Sequence, residues 1–136
     1  MIVVLDTNVL LVSIAPRSVY RKIFDALMAG EFKLVLSNDI LSEYAEVIER
    51  KANATVSNNI AEMLLNLENL NKVEVFFEWK LVNKDPDDNK YVDAAIAGGA
   101  DFIVSNDQHF KILKSIGFPK VNVIGIDEFL EIILKK

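Results

Sequence analysis

A chain of 136 residues with a hydrophobic fraction of 51% has enough apolar material to bury one core, and we read residues 1–136 as a single domain. It has 0 cysteines, which excludes disulfides and thiolate metal sites, and its one histidine, His109, gives no basis for a zinc centre. A net charge of -5 offers no bulk attraction to nucleic acid, and any metal must be held by oxygen, as magnesium, manganese and calcium are.

In chain order, Ile2-Val3-Val4-Leu5 reads as a strand buried on both faces, and Val9 and Leu10 resume the apolar pattern after Asp6-Thr7-Asn8. Helical spacing follows in SVYRKIFDALMAG, stopped by Gly30. KLVLS (33–37) is a strand, and Ser37 or Asn38 caps a helix over 39–51. A helix runs through ATVSNNIAEMLLNLENL, with Ser57 as its cap, and VEVFF (73–77) forms a short strand. A loop containing DPDDN leads to a helix over 88–98, then to the strand DFIVS (101–105) and a short helix in NDQHFKILKSIG. The strand VNVIGI (121–126) and the helix DEFLEIILKK close the chain. Alternation of strands and helices predicts an α/β fold, a mostly parallel central sheet with helices on both faces. The apolar N-terminus lacks the basic region of a signal peptide, and no stretch reaches the ~18–20 apolar residues of a membrane span. A soluble cytoplasmic protein is the expectation.

In such sheets, function collects at the carboxyl ends of the strands. Asp6 follows the first strand, Ser37 to Asp39 the second, and Ser105 and Asp107 end FIVSND. A buried carboxylate needs a partner, a metal or a path to water. On helix 39–51, Glu43 flanks the face of Ile40, Tyr44 and Val47 and is the acid best placed to face a cleft, while Glu46 and Glu49 point away. Asp88 is a natural helix cap within an acid-rich turn. Asp93 is the reserve acid: five residues on, it lies about 140° around the helix. Carboxylates gathered without cations repel one another, and a divalent ion cancels that repulsion and can activate water. The chemistry implied is hydrolysis of a phosphodiester. His109 reads as plain surface, and Trp79, Phe76 and Phe77 as core or dimer contacts rather than base-stacking groups.

The stretches LDTNVL, SEY, DPDDNKYVDAAIAGGADFIVSND and the closing IDEFL together resemble the PIN-domain family over nearly the whole chain. The segment 85–107 most resembles the branch assigned to toxins of toxin–antitoxin pairs, related to the VapC-like ribonucleases. The resemblance implies a ribonuclease that uses one or two magnesium or manganese ions. Asp6, Glu43, Asp88 and Asp107 would be its catalytic, metal-holding acids, and Thr7, Asn8 and Ser105 would orient them. It further implies single-stranded RNA as substrate, an antitoxin as partner and a homodimer. Arg17 and Arg21 are the first choices to guide the RNA backbone. Two other classes are weaker. A receiver or haloacid-dehalogenase-like phosphatase needs acids or a lysine that Asp6-Thr7-Asn8 and FIVSND do not supply, and a binding module without catalysis would not need the full acid set.

Overall fold

The computed structural model describes residues 1–83 and 85–135. Lys84 of the predicted acid-rich loop and Lys136 of the predicted closing helix lie outside the described residues. Five strands, β1 (Ile2–Leu5), β2 (Lys33–Leu36), β3 (Leu70–Lys72), β4 (Phe102–Val104) and β5 (Val123–Ile124), form one sheet in the order β3-β2-β1-β4-β5. Every pairing is parallel. Val3, Val4 and Leu5 are all buried, as are Leu34, Val35 and Leu36. Successive strand residues point to opposite faces, so both faces of the sheet are covered, as expected for a parallel sheet.

The helices are α1 (Thr7–Ile14), α2 (Arg21–Met28), α3 (Asn38–Lys51), α4 (Ala54–Leu65), α5 (Asn89–Gly98) and α6 (Ile126–Leu134). Helix α5 lies across β1, β2 and β4, α6 packs on α2, and α3 packs on α4. Phe129 of α6 meets Phe32 and Phe102 edge to face, with centroids at 5.2 and 5.9 Å. Gly98 lets α5 approach the sheet, because a Cβ there would stand 2.8 Å from a methyl of Val35. Gly99 then ends α5 in the left-handed conformation, with φ 62°.

Four sequence expectations change. Helix α1 begins directly after β1, where only a continued apolar pattern was read. Asp6 caps it by accepting the Asn8 N–H at 3.2 Å. The strand expected at 73–77 is instead the three-residue β3 at 70–72. Its partner β2 ends at Leu36 because Ser37 caps α3, so the Val73 N–H takes the carbonyl of Leu36 and the ladder stops. Asn53, not Ser57, caps α4. Ser57 is buried and donates to the Ala45 carbonyl at 2.7 Å, tying α4 to α3. The short helix after β4 is a 3-10 helix over Gln108–Ser115, with Asp107 as its cap.

Candidate functional site

The chain lays β2 and β3 on one side of β1, then crosses to lay β4 and β5 on the other. The crevice between the carboxyl ends of β1 and β4 is therefore the point where the strand order reverses, the preferred ligand position of open parallel sheets. The two strands run in register, Leu5 beside Val104, and the Asp6 N–H donates to the Val104 carbonyl at 3.1 Å. The next residues, Asp6 on one strand and Ser105 on the other, thus meet. Ser105 Oγ donates to Asp6 Oδ2 at 2.5 Å and accepts the Asp107 N–H at 3.0 Å. One hydroxyl orients the first acid and the turn that carries the last. Asn8 is exposed and contributes its backbone N–H to Asp6.

Asp6 is 8% exposed. Burial pushes its carboxyl above the ordinary value. The hydrogen bonds from Ser105 and Asn8 oppose this, and the charges of Asp107 and Glu43 add to it. The carboxylate is hydrogen-bonded yet burial still disfavours its charge, and the nearby charges of Asp107 and Glu43 favour an added positive charge beside it.

Glu43 enters from α3, as its position on the helix predicts. Thr7 Oγ1 donates to Glu43 Oε2 at 2.6 Å, Tyr91 OH closes on the same oxygen, and Lys90 Nζ pairs with Oε1 at 2.7 Å. Burial pushes the Glu43 carboxyl up. The bonds from Lys90, Thr7 and Tyr91, with the Lys90 charge, outweigh burial and leave it below the ordinary value. Tyr91 is buried and also packs edge-on against Phe110, so its ring is core and its hydroxyl is part of the site.

Asp88 stands at the cap position of α5 but makes no side-chain cap bond. Capping falls to Asp85, which accepts the Asp87 N–H at the start of a 3-10 turn over Pro86–Asp88. Asp88 Oδ2 instead faces His109 Nδ1 at 3.2 Å. Burial raises the Asp88 carboxyl to about 6. The His109 contact opposes the rise, and the charges of Asp107, Asp85 and Asp6 add to it. His109, read from sequence as surface, therefore sits among carboxylates. A histidine two residues after a strand-end acid was the one available signal.

Asp93 lies elsewhere. It is buried, and its Oδ1 accepts the Trp79 N–H at 3.1 Å. One turn earlier, Asn89 accepts the Val82 N–H and donates to the Val82 carbonyl, both at 2.9 Å. These two residues on one face of α5 clamp the irregular segment 79–82. Phe76 and Phe77, on the chain leading into it, are exposed rather than core.

A family model described as PIN domain matches residues 2–109. The chain belongs to the PIN domain family. No curated protein matches it significantly. Among solved structures, VapBC2 from Rickettsia felis bound to a DNA fragment from their promoter shares the fold, with a TM-score of 0.63 at 18% identity over 92% of this chain and 98% of that one.

In this PIN domain Asp6, Asp88 and Asp107 bring carboxylates from neighbouring strand ends and a helix start into one another's field, and among the described residues Asp85, Asp88 and His109 bring donor atoms within 4.8 Å of one another, the spacing a divalent cation needs. Beside Glu43 opens a groove of about 910 Å³ lined by Glu43, Arg50, Lys80, Lys90 and Asp93 among others. Among the described residues its cations are Arg50, Lys80 and Lys90, and neither Arg17 nor Arg21 lines it. The Arg21 guanidinium is held by the Ile14 carbonyl and Asp25 and lies over Phe24. Arg17 is exposed on the chain just before α2.

Proposed function

We propose that this PIN domain, spanning residues 1–136, is a metal-dependent endoribonuclease that hydrolyses phosphodiester bonds in single-stranded RNA. The observation that carries the reading is the gathering of Asp6, Asp88 and Asp107 around the switch point, with the carboxyls of Asp6 and Asp88 pushed up by burial and then by the charge of Asp107 and other neighbouring acids. Asp6, Asp88, Asp107 and Glu43 would hold magnesium or manganese, one or two ions per site. Bound there, a divalent ion lowers the pKa of water and stabilises charge on a phosphoryl oxygen. Ser105 and the Asn8 backbone fix the Asp6 carboxylate, and Thr7 and Tyr91 fix Glu43 to position the attacking water. An unstacked strand can enter the crevice, its backbone guided by Lys80 and Arg50 on the adjoining groove rather than by Arg17 and Arg21.

The sequence resemblance and the fold shared with VapBC2 support a toxin of a toxin–antitoxin pair, acting in the cytoplasm as a homodimer with an antitoxin as partner. No helix among the described residues is long and apolar enough to cross a membrane. A PIN-fold binding module without catalysis is the second reading. It draws on Lys90, which already occupies one oxygen of Glu43.

Cleavage of a mixed-sequence single-stranded RNA with magnesium, manganese or chelator tests the proposal. We expect metal-dependent cleavage that Asp6→Asn lowers at least ~100-fold, a loss of several kcal/mol of transition-state stabilisation. Folded protein that cuts nothing with either metal would select the binding module.

A further inference from the structure

We infer that His109 is a metal ligand: with Asp85 and Asp88 it forms a mixed nitrogen–oxygen position for a divalent cation, beside Asp6 and Asp107, that favours first-row transition ions over magnesium. The inference rests on the reading of the acidic crevice as a metal centre. It adds to that centre a ligand type and a selectivity.

Three carboxylates, from the 85–88 turn and from the cap of the helix that carries His109, converge on one imidazole nitrogen. His109 Nδ1 lies 3.2 Å from Asp88 Oδ2, 3.3 Å from Asp107 Oδ1 and 3.9 Å from Asp85 Oδ2. Donor atoms each about 2.1 Å from one ion stand roughly 3 Å apart when adjacent and about 4.2 Å when opposite. The Asp85, Asp88 and His109 donors, all within 4.8 Å of one another, are close to that spacing.

The backbone fixes these groups independently of any ion. Asp107 Oδ1 accepts the His109 N–H at 2.8 Å, which sets the first turn of the 3-10 helix and aims the imidazole back at α5. Asp85 uses Oδ1 to cap its own turn and turns Oδ2 to the imidazole. Asp88 makes no side-chain cap bond, so capping does not explain where its carboxylate points. Side-chain exposures of 38% for His109 and 42% for Asp85 leave the position open to an ion from solvent.

Charge gives the second argument. Three carboxylates face one imidazole, so the group stays negative even when His109 is protonated. The nearby Lys90 is committed to Glu43. A divalent cation is the species that neutralises this surplus. An imidazole nitrogen binds manganese, cobalt and zinc increasingly well, whereas magnesium demands oxygen.

The chain has 1 histidine, so its imidazole nitrogen signals in NMR of the full-length protein need no assignment. We would titrate it with zinc, a diamagnetic transition-series probe, and separately with magnesium, and measure both affinities by calorimetry. The expected result is a large, saturable coordination shift of Nδ1 with zinc, and with magnesium at the same concentration only the small shift that follows from losing its contacts to Asp88 and Asp107. Asp88→Asn should weaken zinc at least 10-fold. His109→Gln, checked for folding by circular dichroism, should narrow the zinc-to-magnesium affinity ratio at least 10-fold.

An imidazole that responds to pH but not to zinc, with the same affinity ratio in His109→Gln, would overturn the inference. Metal-dependent RNA cleavage in that case would leave the nuclease reading standing. Absence of binding by either ion would overturn both.

Discussion

Asp88 carries opposed demands. Its carboxyl rises from 3.8 to about 6 because burial, and then neighbouring acids, disfavour the charge a metal would need. A folded-state value above the unfolded one means that the metal-free fold holds the proton more tightly than the open chain does. Ionisation of Asp88 therefore costs nothing below about pH 4, and the cost grows as pH rises and is complete above about 6. Each unit is ~1.4 kcal/mol, so the full cost is on the order of 3 kcal/mol, part of which an asparagine would forfeit through the weakened His109 contact. Asp88→Asn should raise the unfolding free energy at pH 7.5 without metal by about 1–2 kcal/mol, and change it little at pH 4. Urea denaturation at the two pH values decides this, and an equal effect at both would refute it. Asp93→Asn should lower RNA cleavage less than Asp88→Asn, because Asp93 supports the Trp79 backbone rather than the crevice. The reverse order of rates would move the third acid to Asp93.

At the scale of elements, the site depends on how closely α5 lies on the sheet. That helix brings Asp88 to the crevice at its start and Lys90 and Tyr91 to Glu43 within its first turn. Gly98, near its end, allows the approach to Val35. A methyl group there would stand 2.8 and 2.9 Å from the two Val35 methyls, and Val35 is wholly buried and has nowhere to turn. Gly98→Ala should therefore destabilise the fold by about 1–3 kcal/mol through overpacking, although alanine is the better helix former. A shift of the denaturation midpoint to higher urea would show that α5 has room to move.

For the whole molecule, the acids repel one another across elements distant in sequence, so a bound cation should stabilise the entire fold. Manganese at about 100 times its dissociation constant adds roughly 2.7 kcal/mol, or about 8 °C in Tm for a domain of this size. Differential scanning fluorimetry should show most of that rise lost in Asp6→Asn. An unchanged rise would place the ion away from the switch point.

Much of this was legible in the sequence. IVVL, LVL (34–36) and FIV (102–104) are continuous apolar runs, as strands buried on both faces require, and each is followed by a polar residue, Asp6, Ser37 or Ser105. That pattern gives a parallel sheet and points to its carboxyl ends. The spacing around Ile40, Tyr44 and Val47 was enough to single out Glu43, because a helix face depends only on local geometry. Strand order, pairing length and the angle of a cap residue's side chain are not local. β3 is short because β2 ends early, α1 follows β1 without a loop, and Asp88 turns from its own helix to His109, 21 residues away. Local periodicity determined which residues face inward. Only tertiary contacts decided which of them face one another, because a carboxylate's partner is set by desolvation and charge across the crevice rather than by its neighbours in the chain.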